Sequence, residues 1–234
     1  MDWTKEKSKA AKTRLNFDNL KLVIFDKDGL IMDTEAPVYA VWKEVFSELK
    51  LPPLTREMYT GFIGYDRREN IRRINEFYPG IDGEAIFSSC AVRVREYLEN
   101  NPIRTMPGLF ELLDVLDEKG LKKAVATSSR SQNAHMTLKK CGVFSRVDTV
   151  ISGDMIERSK PAPDIFLKAA EAVGVRPSEC LVLEDSNAGV MGAFAAGIPV
   201  IVIPDMIDTP PEIVELCECR CDSLFDVMEL FLSC

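Results

Sequence analysis

The chain has 234 residues, 46% hydrophobic and 28% charged, with a formal net charge of −8. That is enough apolar material to bury a full core in one large domain or two small ones, with no signature of disorder. An acidic surface argues against nucleic acid or an anionic membrane as partner, because neither is attracted to it.

Residues 1–18 open with Lys5, Lys7, Lys9, Lys12 and Arg14 among small polar residues, and read as a basic extension. Leu22-Val23-Ile24-Phe25 then forms an apolar run that stops at Asp26 and Asp28, with Gly29 available for a sharp turn. Such a run reads as a strand of a parallel sheet buried on both faces. Asp26 and Asp28 are thereby expected just past its carboxyl end, where ligands bind in open α/β sheets. Two carboxylates so close repel by about 4 kcal/mol at an intermediate dielectric. A divalent cation is the expected compensation.

From Ala36 to about Asn101 the pattern is helical. Trp42, Val45, Phe46 and Leu49 recur at helical spacing, as do Ile71, Ile74 and Phe77, and no buried strand run interrupts them. An all-helical insertion over 35–102 is expected, leaving 19–34 and 103–234 as the α/β core. Beyond Pro107 helices and strands alternate: helices over 109–118, 131–140, 161–173 and 188–196, strands over 123–127, 147–152, 180–183 and 198–203. Repeated β-α units of this kind predict a doubly wound, Rossmann-like parallel sheet.

Seven cysteines, at 90, 141, 180, 217, 219, 221 and 234, form an odd set without CxxC spacing, so no disulfide framework is expected. Cys217, Cys219 and Cys221 alternate as on a short strand with one buried face, and that reading is preferred to a metal site. No apolar stretch approaches the roughly 20 residues that span a bilayer, and no signal-peptide core opens the chain. A soluble cytoplasmic protein, monomeric and without nucleic-acid or membrane partners, is expected.

Four strand ends carry chemistry: Asp26 and Asp28; Thr127 with Ser128 and Ser129; Lys160; and Glu184 with Asp185. Together they suit phosphoryl transfer. A carboxylate attacks phosphorus, a second moves protons, hydroxyl and ammonium groups hold phosphate oxygens, and a hard cation neutralises charge. Taken singly, Thr127 and Ser129 are equally ordinary N-cap candidates for the next helix.

In order and spacing, Asp26-Lys27-Asp28-Gly29, Thr127, Lys160-Pro161 and Glu184-Asp185 resemble the four motifs of the haloacid dehalogenase-like superfamily. The segments 25–35 and 159–166 look most like the subgroup of β-phosphoglucomutase and the sugar-phosphate and pseudouridine-monophosphate phosphatases. The resemblance implies Asp26 as nucleophile and magnesium ligand, and Asp28 as general acid and base, binding Mg2+ through its carbonyl. It implies Thr127, with Ser128 and Ser129, as phosphate ligands. Lys160 becomes the charge-balancing and phosphate-binding group, with Asp185 and Glu184 at the metal. The helical insertion matches that subgroup's cap, with Tyr65 and Arg67 at the specificity loop.

The implied function is a Mg2+-dependent phosphatase of a small phosphorylated metabolite, a sugar phosphate or nucleotide-derived monophosphate. A phosphosugar mutase is the alternative: Arg67 favours it, while Val38, where the mutase pattern has histidine, opposes it. Of another class is a non-catalytic phosphate-responsive signalling or binding protein. A signalling receiver accepts phosphate after a later strand and lacks a cap. The lone His135 is expected at the surface or facing the cap, and Trp42, Phe46 and Phe62 in the cap core.

Overall fold

The computed structural model describes residues 15–233. Most of the expected basic extension, and Cys234, lie outside the described residues. Six parallel strands stand in the order β3-β2-β1-β4-β5-β6: β1 (Leu22–Phe25), β2 (Lys122–Thr127), β3 (Thr149–Ser152), β4 (Cys180–Glu184), β5 (Val200–Val202) and β6 (Cys219–Arg220). β1 lies at the centre, with Leu22 to Phe25 paired to Lys122–Val125 on one side and Cys180–Leu183 on the other. All four of its residues are buried, as a strand covered on both faces requires.

Alternate residues of each strand feed opposite layers. Val23, Phe25, Val125 and Leu183 pack against α5 (Leu109–Glu118), α6 (Ser131–Lys140) and α10 (Leu224–Leu232). Leu22, Ile24, Ala126 and Val182 pack against α7 (Asp164–Val173) and α8 (Asn187–Ala195). The short α9 (Pro211–Val214) precedes β6. The doubly wound parallel sheet is thus present, and an all-helical cap is inserted after β1.

That insertion comprises α1 (Glu35–Glu48), α2 (Arg56–Thr60), α3 (Arg67–Phe77) and α4 (Gly83–Asn100). It closes over its own apolar cluster, which includes Trp42, Val45, Phe46, Tyr59, Phe62, Ile74 and Cys90. Trp42, Phe46 and Phe62 sit there as expected, whereas Leu49 and Phe77, near the ends of their helices, are exposed. Asp66 and Asp82 cap α3 and α4 by accepting from Glu69 N–H and Ala85 N–H. The two crossing segments bond to each other: Asp33 N–H donates to Arg104 O and Met106 N–H to Ile31 O, both at 3.0 Å.

Several boundaries differ from the sequence reading. The helix expected from Pro161 begins at Asp164, since Ala162 precedes Pro163 and a residue before proline is disfavoured in helical geometry. β3 starts at Thr149, after a single 3₁₀ turn over Phe144–Arg146. β5 is limited to Val200–Val202 because Ile198 N–H is spent on Ala193 O, closing α8. The cysteine alternation holds only in part. Cys219 and Cys221 share one face, with sulfurs 3.9 Å apart, but Cys217 precedes the strand and packs in the opposite layer. Among the described residues no helix is long and apolar enough to cross a membrane.

Candidate active site

The carboxyl ends of β1, β2 and β4 converge beneath the cap on a cavity of about 710 Å³. Asp26, Asp28, Thr127, Ser128, Ser129 and Asp185 line its floor; Trp42, Tyr59, Phe62, Tyr65, Arg67 and Phe87 contribute to its cap side. Asp26 leaves β1 with its N–H still bonded to Leu183 O. Gly29 then takes φ +81°, and a Cβ there would lie 2.3 Å from Asp185 Oδ2. Glycine is required for both the turn and the approach of the two loops.

Lys160 lies behind Asp26 and is buried. Its Nζ donates to Asp26 Oδ1 at 2.5 Å and pairs with Glu184 Oε1. Glu184 Oε2 accepts from Ser186 N–H at 3.0 Å and Ser186 Oγ at 2.9 Å. Both oxygens of Glu184 are therefore engaged away from the cavity. Burial pushes the Asp26 carboxyl up to about 7 despite the Lys160 ammonium, and Glu184 and Asp28 add to the rise. Asp185 is also driven well above the carboxylate range, by burial first and then by Asp26 and Glu184.

Asp28 is held the other way. Burial, which would raise it, is outweighed by Lys27, whose Nζ donates to Asp28 Oδ1 at 2.7 Å. Thr34 Oγ1 donates to the same oxygen at 3.1 Å and Ser129 Oγ to Oδ2 at 3.2 Å. Thr127 and Ser129 do not cap α6: Ser129 N–H turns inward to Thr127 Oγ1 at 3.1 Å. Ser128 Oγ reaches across to the cap and donates to Gly64 O at 3.1 Å.

The acidic donor set is electrostatically suited to a cation. Asp26 and Glu184 share the Lys160 ammonium, Asp185 is buried near both, and Asp26 and Asp185 resist ionisation as they stand. Added positive charge beside Asp26 and Asp185 relieves this, and their hard oxygens suit Mg2+. Among the described residues no three His, Cys, Asp or Glu side chains form a ready cation cage. The fit therefore rests on the Asp26 and Asp185 carboxyls.

On the cap side, Arg67 is already engaged: it pairs with Glu84, donates to Ser88 Oγ at 2.9 Å and lies over the Phe87 ring. Tyr65 is covered by the Arg73 guanidinium, 3.9 Å from its ring centre. Val38 lines the cavity. His135 is exposed and packs on Phe144, outside the cavity lining.

Sequence reasoning passed over Lys27, Ser186 and the Glu35–Tyr59 pair. Glu35 is buried at the start of α1 and accepts from Tyr59 OH at 2.8 Å. Burial raises its carboxyl to about 8, and Asp28 adds to the effect. Nothing local marks it, because its burial comes from α2 folding over it.

A doubly wound parallel sheet with an inserted helical cap and acids at the end of β1 defines a capped Rossmann-like α/β protein. The sequence pattern of the haloacid dehalogenase-like hydrolases matches residues 23–203, and the chain belongs to that family. The phosphorylated carbohydrates phosphatase of Thermotoga maritima is 30% identical over 179 residues, 76% of this chain and 82% of that protein. Suppressor of Quenching 1, chloroplastic, of Arabidopsis thaliana is 31% identical over 80% of this chain, which spans 18% of that longer protein. The structure of CbbY from Rhodobacter sphaeroides in complex with phosphate superposes with a TM-score of 0.75 at 25% identity, covering 89% of this chain and 96% of that one. The relatives named as phosphatases support the expected enzyme class, a phosphoric monoester hydrolase.

Proposed function

We propose that the protein is a Mg2+-dependent phosphatase acting on a small phosphorylated metabolite, a sugar phosphate or nucleotide-derived monophosphate, through an aspartyl-phosphate intermediate. The observation that carries this reading is the buried Lys160 ammonium 2.5 Å from Asp26, a carboxyl that lines the floor of a capped cavity together with Thr127 and Ser129. Asp26 Oδ attacks phosphorus, and the bond from phosphorus to the leaving oxygen breaks. In its protonated form Asp28 delivers a proton to that oxygen, and as the resulting carboxylate it takes one from the water that attacks the acyl phosphate, which releases inorganic phosphate and restores Asp26. Thr127, Ser128 and Ser129 bind the phosphoryl oxygens, and Lys160 balances charge on Asp26 and the phosphate, itself held by Glu184. Asp26, Asp185 and the Asp28 carbonyl would hold Mg2+, with Glu184 outside the direct ligand set. When bound, the cation supplies charge neutralisation at the transferring group.

A mutase would need a proton-handling cap residue and a free second phosphate site. Val38 and the pairing of Arg67 with Glu84 support the phosphatase over it. The composition agrees with a monomer in a reducing cytoplasm. The test is phosphate release across a panel of phosphorylated metabolites, with Asp26→Asn and metal chelation as controls. Both should reduce turnover to background with the fold intact; full activity in Asp26→Asn would refute the nucleophile.

A further inference from the structure

The turn after β2 is held in place from a neighbouring strand end. α6 begins at Ser131, and its N-cap position is occupied by Arg130, whose side chain makes no capping bond. The first amides of the helix therefore need an acceptor from elsewhere. Asp154, just beyond β3, provides it: its Oδ1 accepts from Ser131 N–H at 3.0 Å and from Ser131 Oγ at 2.7 Å. Ser131 Oγ also lies 2.6 Å from Ser152 Oγ, which ties the end of β3 to the start of the helix.

The residue between them closes on the same turn. Gly153 N–H donates to Ser129 O at 2.9 Å, and a Cβ on Gly153 would lie 2.5 Å from Ser128 O. Ser128 and Ser129 are thus braced by 152–154 on one side, while Ser129 Oγ holds Asp28 on the other. Asp154 also lines the cavity. Its charge is a liability there, because the start of α6 favours an anion and a resident carboxylate opposes an incoming phosphate. What it contributes must therefore be geometry.

We propose that Asp154 is a positioning residue that caps α6 from the end of β3 and thereby holds the Thr127–Ser129 turn in shape for the phosphoryl group. This rests on the reading that the turn binds phosphate. The test is calorimetric titration of the wild type, Asp154→Ala, Asp154→Asn and Ser131→Ala with inorganic phosphate in the presence of Mg2+, with thermal unfolding in parallel. Asp154→Ala should weaken phosphate binding at least about fivefold, the scale of a lost N-cap. Asp154→Asn, which keeps the acceptor oxygen and sheds the charge that opposes phosphate, should bind at least as tightly as the wild type. Ser131→Ala should fall between them, and it carries the comparison with Asp154→Asn if Asp154→Ala does not fold. An Asn variant as weak as the Ala variant, or wild-type binding in both Ala variants, would overturn the proposal. A wild type that binds no phosphate would overturn the phosphatase reading and this inference with it.

Discussion

Replacing Lys160 by methionine removes the ammonium from between Asp26 and Glu184 and leaves a side chain of similar length. The lysine is only 2% exposed, and its Nζ lies 2.5 Å from Asp26 Oδ1 and 3.4 Å from Ala126 O. Breaking a buried ion pair from one side costs about 3–5 kcal/mol, because the remaining charge is uncompensated. That cost depends on pH through Asp26, whose carboxyl burial raises from an ordinary 3.8 to about 7 even with Lys160 beside it. Without the ammonium it rises further. A carboxyl raised on folding contributes stability that is fully present below its unfolded value and lost as pH rises through its folded value. The wild type finishes this loss near pH 7, whereas the variant goes on losing up to about 1.4 kcal/mol per pH unit above it. Thermal unfolding of both proteins in chelator, at pH 6 and pH 8.5, should show the gap between them widening by about 2 kcal/mol at the higher pH. An equal gap at the two values would refute the coupling of Lys160 to Asp26.

Gly189→Ala tests the other end of the same pair. Its Cβ would stand 1.8 Å from Glu184 Oε1, so a loss of about 3 kcal/mol on urea unfolding, together with turnover, is expected. Tyr59→Phe strips the donor from buried Glu35 and should lower stability by about 1–3 kcal/mol at pH 8.5; a neutral effect there would show that Glu35 finds another partner. Incubation with glucose 1-phosphate should release free phosphate, read by chromatography of the products. Glucose 6-phosphate as the main product would reverse the preference for phosphatase over mutase.

Much of this architecture was legible along the chain because its signals are short-range. Four apolar residues ending at Asp26 mark a doubly covered strand, and helical spacing marks α1, α3, α5 and α6, whatever the rest of the protein does. The catalytic candidates were legible for the same reason, since polar residues that interrupt apolar strands fall at strand ends. What only tertiary structure decided is how those ends spend their bonding capacity. Glu184 reads as a metal ligand beside Asp185, yet once β4 lies beside β1 its oxygens go to Lys160 and Ser186. Arg67 reads as a residue of the specificity loop, and nothing in its own neighbourhood shows that α4 brings Glu84 and Ser88 against it. Ser129 reads as a helix cap, but the capping oxygen comes from Asp154, 23 residues beyond Ser131. Glu35 carries no local sign of burial at all. Charge pairing and desolvation depend on which segments meet in space, and a polar side chain does not show in its own neighbourhood which distant partner will claim it.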